Sequence, residues 1–520
     1  NSSRFGKCVR LCTDPNSGAL LGAYFHTYLL EKSRVVQFGP QERNFHLFYQ
    51  LLAVVAPTKK RPASRPAWRW RAPAAADSAG AASAAPAPPA ELGLGDLKLG
   101  GASPAEFALL SSSGAQTSEG IDDVLGWADT AAALTSMGFT PDEQRALFAM
   151  LAALLHLSNL AYDDDAKGAA KTTPGCAAAL GAAAHVLGAS NLETLLTVRE
   201  MAVKDEVMRI ELRADQAAHA RDGLLKSLYG LAFGWVVAKI NTAMRRDGGG
   251  AAYVGGEGDV YVDALDIFGF ENFGVNSFEQ LCINFANEKL HQLFLYAMFK
   301  AEHEVIALEK VSLPPVDYAD NERCLQMLER APSGVFHLLD TCCRVNSSPS
   351  NFCLQVHAEH AACEFLVLGI NGCNEDRAFT VRHFAGDVEY AVDDFLKKNA
   401  ETMEVMTRQL LATPALAFLQ ATYDDAEETR AEREAAGGLR RSSSMGGGSS
   451  GTLLRSGSAP GGLGPGSPRR SSVGRVASTT GRRFLADMGL LMTQLSSTTA
   501  HFVHCVKPNG MEQPELLSYE

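Results

Sequence analysis

Val260-Tyr261-Val262-Asp263-Ala264-Leu265-Asp266-Ile267-Phe268-Gly269-Phe270-Glu271 is the stretch on which the reading of this chain turns. Its first six residues form an apolar run that predicts a buried strand. The strand ends in an acid, Asp266. A turn containing Gly269 follows, then a second acid, Glu271. A helix of about thirty residues is predicted to begin near Ser277, where the apolar spacing changes to three and four. Such a strand and turn suit a loop that responds to a nucleotide. Asp266 is placed to sit beside a Mg²⁺–phosphate, and Gly269 lets the backbone approach a γ-phosphate closely. Glu271 is a candidate partner for a distant arginine. A plain strand-to-helix turn has the same local pattern, so these residues alone leave both readings open.

The chain opens Asn1-Ser2-Ser3-Arg4-Phe5-Gly6-Lys7. Serine hydroxyls are the usual side-chain ligands of Mg²⁺ beside substrate phosphates, and Arg4 is the candidate partner of Glu271. The plain alternative is a polar loop leading into a strand. Taken together, the serine loop with its Phe5-Gly6-Lys7 continuation and Asp266–Glu271 resemble the two switches of the myosin motor domain. Kinesins carry a related serine loop, but it continues differently and their second switch has a Leu-Ala-Gly-Ser core. Leu29-Leu30-Glu31-Lys32-Ser33-Arg34-Val35-Val36 and Glu42-Arg43-Asn44-Phe45-His46-Leu47-Phe48-Tyr49-Gln50-Leu51-Leu52 match the segment that follows the first switch in that family. The fold this implies is α/β: a P-loop NTPase-like motor core, mostly helical around an incomplete mixed β-sheet.

Composition agrees with a large globular protein. There are 520 residues, 46% of them hydrophobic, with a net charge of −12 that argues against a nucleic-acid binder. The eleven cysteines form no CxxC pair and no zinc spacing, so they read as reduced thiols of an intracellular protein. No apolar run approaches the ~20 residues of a membrane span. Asn1 is not a start methionine and no signal peptide precedes it, so the chain is expected to begin within a longer protein.

Four segments are expected. Residues 1–262 hold the first switch and an upper actin-binding subdomain. Residues 263–423 hold the second switch, a relay helix and a lower actin-binding subdomain. Residues 424–483 are a disordered basic loop, and 484–520 return to the lower subdomain. Residues 7–13 and 19–30 alternate like two strands around the turn cluster 14–18. Residues 57–90, with six basic residues, one acid and a run of Ala and Pro, read as a disordered insertion. Thr140-Pro141-Asp142-Glu143 starts a helix through Leu157, in which His156 reads as a satisfied core residue. A second helix over roughly 214–246 carries Leu224, Leu228, Leu231, Trp235, Val236 and Ile240 at helical spacing, as core positions. After Ser277, a stripe of Phe278, Leu281, Phe285, Leu290, Leu293, Phe294 and Met298 predicts one buried helix face.

The resemblance implies actin filaments as partner, and it marks the surfaces. Glu206 lies in the loop Val203–Leu212. Gly334, Val335 and Phe336 lie in a helix–loop–helix. Leu491, Met492, His501, Phe502, Lys507, Pro508 and Asn509 lie in the last segment. After Asp340 the family usually continues with acids and a Pro-Lys pair, whereas here Thr341-Cys342-Cys343-Arg344 follows. From Gly437 to Arg483 there are eight arginines and no acid, the composition of a basic loop that attracts acidic actin and weakens with salt. Ser443 and Ser472 follow Arg-Arg pairs and are candidate phosphorylation sites, where added negative charge would oppose that attraction.

By the same resemblance Ser3 ligates Mg²⁺, Ser2 positions the attacking water and Asn1 lies against the phosphates of ATP. Asp266 holds the metal shell, the Gly269 amide bonds the γ-phosphate, and Arg4 with Glu271 closes the site. The 520 residues contain no GxxxxGK[ST] phosphate loop. In the family that loop precedes the first switch, and the converter and lever arm, with light chains or calmodulin, follow the last segment. Two functions are therefore expected: part of a cytoplasmic, cytoskeletal actin-activated ATPase motor, or a truncated actin-binding or interaction protein without turnover.

Overall fold

A computed structural model describes residues 4–28, 30–39, 42–55, 92–118, 120–203, 206–244, 260–310, 318–367, 376–400, 404–428 and 479–503. The chain divides into two compact units. One comprises 4–266 with 402–475, the other 1–3, 267–401 and 476–520.

The first unit contains β1 (Gly6–Thr13), β2 (Leu20–Tyr28), α1 (His46–Val55), α2 (Asp123–Ser136), α3 (Pro141–Ser158), α4 (Ala177–Leu187), β3 (Val198–Val203), β4 (Glu206–Glu211), α5 (Ala214–Ala243) and β5 (Val260–Asp266). The predicted hairpin forms because Asp14 folds its own turn: its Oδ1 accepts the Asn16 and Ser17 amides at 3.0 and 2.7 Å. Gly18 supplies the left-handed residue at φ +66°. Strand β5 joins the other edge of β1, giving an antiparallel sheet of order β2-β1-β5. Arg10 on β1 forks onto Asp263 of β5 with two bonds of 2.8 Å, and its guanidinium lies 4.0 Å from the Tyr261 ring centre. Strand β5 is not buried as its apolar sequence predicts: Val260 and Val262 are 53% and 63% exposed. Among the described residues it pairs on one side only, so the run makes an outer strand, the kind of exposed edge that an incomplete sheet presents.

Helix α3 starts as predicted. The Thr140 hydroxyl accepts the Glu143 amide at 3.2 Å and the Glu143 carboxylate accepts the Thr140 amide at 3.0 Å. Leu147, Phe148, Leu151, Leu154 and Leu155 then pack into one core with Phe48, Leu51 and Leu52 of α1 and Leu224 and Leu228 of α5. His156 is a satisfied core residue, its Nε2 2.9 Å from the Leu97 carbonyl, and burial pushes its pKa down. Contrary to the sequence expectation, one described helix, α5, is long and apolar enough to cross a membrane by length and composition. Its buried residues Ala217, Ala220, Leu224, Leu228, Ala232 and Trp235 fall at three- and four-residue steps, which makes it the core helix of this unit.

The second unit is built on α6 (Phe278–Leu295), continued by a wide π turn over Tyr296–Lys300 and by α7 (Ala301–Leu308). Around it stand α8 (Glu322–Glu329), α9 (Val335–Arg344), α10 (Pro349–His360), the antiparallel pair β6 (Ala378–His383) and β7 (Gly386–Ala391), α11 (Phe395–Asn399) and α12 (Thr480–Ser496). Phe278 and Phe285 pack edge-on to Phe336, and Phe484 of α12 joins them. Thr479 bonds Asp340 at 3.0 Å and the Gly481 amide bonds Asn399 at 2.7 Å, which docks the last helix on α9 and α11. The helix after Ser277 has the predicted length, but its apolar stripe is not buried throughout. Phe278, Leu281 and Phe285 are buried, Met298 is 52% exposed, and no residue of α7 is buried. The helix outruns the core that covers its first turns.

Candidate functional site

The register of one strand pair positions one of the candidate nucleotide residues, Asp266. Lys7, the last residue of the opening loop sequence, lies directly opposite Asp266, the last residue of β5. Two segments some 260 residues apart in sequence thus meet at one end of one sheet. The Asp266 carboxylate is exposed there and pairs with the Lys7 ammonium at 3.2 Å. It is a hard oxygen donor of the kind Mg²⁺ takes. Gly269 has open space where a Cβ would stand, so a ligand can approach its backbone. These features fit a Mg²⁺–nucleotide. Arg4 precedes β1. Its carbonyl accepts the Glu31 amide at 3.0 Å and its Nη1 lies 3.5 Å from Glu31 Oε2. Asn1, Ser2 and Ser3 lie outside the described residues.

The second loop is clamped to the long helix. Asn284, fully buried on α6, accepts the Glu271 amide through Oδ1 at 2.9 Å and donates through Nδ2 to the Glu271 carbonyl at 2.8 Å. One turn on, Asn287 donates to the Phe268 carbonyl at 3.1 Å. The Gln280 amide reaches Glu271 Oε2 at 3.2 Å. Phe270 rests edge-on against His383 and Phe384. A shift of residues 268–271 is therefore a shift of hydrogen bonds at the root of α6. At 1.5 Å per residue the helix carries that motion roughly 45 Å.

A buried polar network stands behind this clamp. Asn284 Nδ2 also donates to the Tyr390 hydroxyl at 2.8 Å, which lies 2.8 Å from His383 Nε2. His383 Nδ1 is 3.0 Å from Glu288 Oε1, and Asn321 donates to Glu288 Oε2 at 2.5 Å. Burial alone pushes the Glu288 carboxyl up, but hydrogen bonds from His383, Asn321 and the Phe384 amide outweigh it and hold it below its ordinary range. Burial also pushes the Tyr390 hydroxyl up, so it stays protonated as the link between Asn284 and His383. Glu288, Cys324 and His383 bring metal-type donor atoms within 4.8 Å of one another. The Glu288 and His383 atoms are already engaged by protein partners, and burial raises the Cys324 thiol, so this cluster is structural.

Sequence reasoning gives Asn284, Asn287, His383 and Tyr390 no role. Polar residues at helical spacing between the apolar positions, Gln280, Asn284, Asn287 and Glu288, are the signal that could have found them, since buried polar groups demand partners.

The predicted surface residues are placed unequally. Gly334 caps α9, and a Cβ there would stand 2.6 Å from the Arg330 nitrogen. Val335 and Phe336 are buried, so their side chains build the helix–loop–helix while Val345 and Leu354 are its exposed apolar residues. Leu491 is buried, Met492 half-buried, His501 exposed, and Phe502 stacks edge-on to Phe294. Glu206 opens β4 opposite Val203, in a hairpin that exposes Met208 and Ile210. Lys507, Pro508, Asn509, Ser443 and Ser472 lie outside the described residues, as do the side chain of Glu206, all of 57–90 and, within the predicted basic loop 424–483, residues 429–478. The nine described cysteines are free thiols that form no disulfide with one another.

Comparison with known proteins fits this architecture. The family description "Myosin head (motor domain)" matches residues 1–64 and 90–519. The chain belongs to that family, and its α/β fold is the P-loop NTPase-like one. The match omits 65–89, within the Ala- and Pro-rich stretch. The chain is 31% identical to myosin-I heavy chain of Dictyostelium discoideum, 31% to unconventional myosin-Vb of Homo sapiens and 31% to myosin-17 of Arabidopsis thaliana. These alignments cover 100%, 99% and 99% of this chain but only 19%, 24% and 28% of the relatives, so the chain spans about a fifth to a quarter of their length.

Proposed function

We propose that this chain is the central part of an actin-based motor that couples MgATP binding and hydrolysis to filament binding and movement, working in the cytoplasm on the cytoskeleton. The observation that carries the reading is the pairing of Lys7 with Asp266, which brings the two switch sequences to one sheet end. Ser3 and Asp266 would hold Mg²⁺, Asp266 through water, and Asn1 would lie against the phosphates of ATP. The metal would neutralise charge on the phosphates. Ser2 orients the attacking water, the Gly269 amide bonds the γ-phosphate, and Arg4 pairs with Glu271 when the site closes. The Asn284 clamp passes that closure to the long helix. Actin contact falls on Glu206 and its hairpin, on the helix–loop–helix shaped by Gly334, Val335 and Phe336, on the segment from Leu491 and Met492 through His501, Phe502, Lys507, Pro508 and Asn509, and on the basic loop. Ser443 and Ser472 would weaken that attraction when phosphorylated. Light chains or calmodulin enter only with a lever arm beyond Glu520.

Sedimentation with actin filaments tests this, using the motor that carries this chain behind a phosphate loop. The motor reading expects pelleting that weakens with salt and is reversed by ATP. Pelleting that ATP leaves unchanged supports the passive actin binder instead, and no pelleting at low salt sinks both. Within the motor, Glu271→Ala should abolish hydrolysis while ATP still binds, because breaking one side of a buried ion pair costs roughly 3–5 kcal/mol. Normal turnover in that variant removes the assignment of Arg4 and Glu271.

A further inference from the structure

Just outside the first hairpin lies an ion cluster of which the nucleotide reading uses only Arg4. Strands β1 and β2 pair with Gly6 opposite Tyr28, so the chain ends beyond them run side by side. Glu31 therefore meets Arg4 twice. Its amide donates to the Arg4 carbonyl at 3.0 Å, and its Oε2 lies 3.5 Å from Arg4 Nη1. The same Oε2 accepts Arg34 Nε at 2.8 Å. Arg34 is in turn fixed by Glu42 at 2.7 Å and by the Arg43 carbonyl at 3.1 Å, and it is buried. The side chains of Arg4 and Glu31 are only 16% and 10% exposed. Screening between them is weak.

We propose that Glu31 is a positioning residue for ATP hydrolysis: held in place by Arg34, its carboxylate and amide preset the guanidinium and backbone of Arg4 for the closed site. The inference rests on the role proposed above for Arg4. The two contacts of Glu31 differ in kind. At 2.8 Å the Arg34 bond is a short charge-assisted hydrogen bond that fixes the carboxylate. At 3.5 Å the Arg4 contact is a looser ion pair that attracts and orients the guanidinium without locking it. Glu42, by contrast, bonds Arg34 and has no contact with Arg4 among the described pairs, so it serves as the structural comparison.

The test is single-turnover hydrolysis in the motor carrying this chain, with nucleotide binding followed separately. Glu31→Gln should lower the phosphate burst about tenfold or more with ATP affinity within about threefold, the signature of a lost transition-state contact. Glu31→Asp keeps the charge and should fold even where Gln does not. It draws the carboxylate back from Arg4 and should give an intermediate loss. Glu42→Gln should leave the burst unchanged. A double-mutant cycle decides the route: in an Arg4→Ala background, Glu31→Asp should add no further loss. Losses that simply multiply, an equal loss in Glu42→Gln, or a normal burst in Glu31→Asp would each overturn the proposal. Glu271→Ala, run beside them, separates the two ideas. If it hydrolyses normally, the reading of Arg4 fails first. If it is inactive while the Glu31 variants are normal, only Glu31 loses its role.

Discussion

Replacing Asn284 with alanine isolates the coupling between the second loop and the long helix. Its side chain makes two bonds to the Glu271 backbone, at 2.9 and 2.8 Å, and one to the Tyr390 hydroxyl at 2.8 Å. Only the first two hold the loop. At roughly 1 kcal/mol net per bond, Asn284→Ala should favour release of residues 268–271 by about 2 kcal/mol. That is about a thirtyfold change in the opening equilibrium, since 1.4 kcal/mol is a factor of ten. Amide hydrogen exchange of a peptide spanning these residues measures it directly, because the Glu271 N–H loses its acceptor. The second unit contains no tryptophan, so fluorescence would not see the change. Tyr390→Phe is the paired control. It removes the bond that does not touch the loop and should change exchange by less than about threefold. Exchange within twofold of wild type in Asn284→Ala would refute the clamp, as would an equal effect from Tyr390→Phe.

Two further outcomes follow from single positions. Gly334→Ala places a Cβ 2.6 Å from the Arg330 nitrogen, against backbone that cannot swing aside, and should destabilise the second unit by roughly 2 kcal/mol or more in thermal unfolding. His156 should make the first unit acid-sensitive. Its folded pKa is depressed by burial below the ordinary 6.5, so the unfolded chain takes up a proton that the folded unit refuses. Its stabilising effect is complete above pH 6.5 and is lost as pH falls toward the folded value, by at most about 1.4 kcal/mol per pH unit. Guanidinium unfolding at pH 7 and pH 5.5, read on Trp127 and Trp235, checks this, and His156→Gln should flatten the slope.

What the sequence shows clearly is whatever is local and periodic. The Asp14–Gly18 turn, the Thr140 cap and the length of the helix after Ser277 all depend on neighbours within a few residues, so spacing suffices to read them. Burial of β5 failed for the opposite reason. Val260 and Val262 have the side chains of an inner strand, but exposure is set by what lies across the sheet, and that lies far away in sequence. Met298 failed similarly: it keeps the helical period, yet the core ends before it. The clamp was half legible. Asn284 and Asn287 can be read as amides beside the apolar stripe, but they bond backbone atoms of residues 268 and 271, and a one-dimensional pattern does not name backbone partners.

That difference explains why residue types are readable while their mechanics are not. In the nucleotide reading proposed above, Asp266, Gly269 and Glu271 would supply a hard oxygen donor, an open backbone and a second charge. Their usefulness depends on register. Lys7 faces Asp266 only because β1 and β5 pair without a slip over seven residues, with Arg10 forked onto Asp263 at the middle of that run. A one-residue slip would turn Arg10 to the other face and move Lys7 off Asp266. The Arg10–Asp263 pair lies outside both motifs, and it supports the register that sets Lys7 against Asp266.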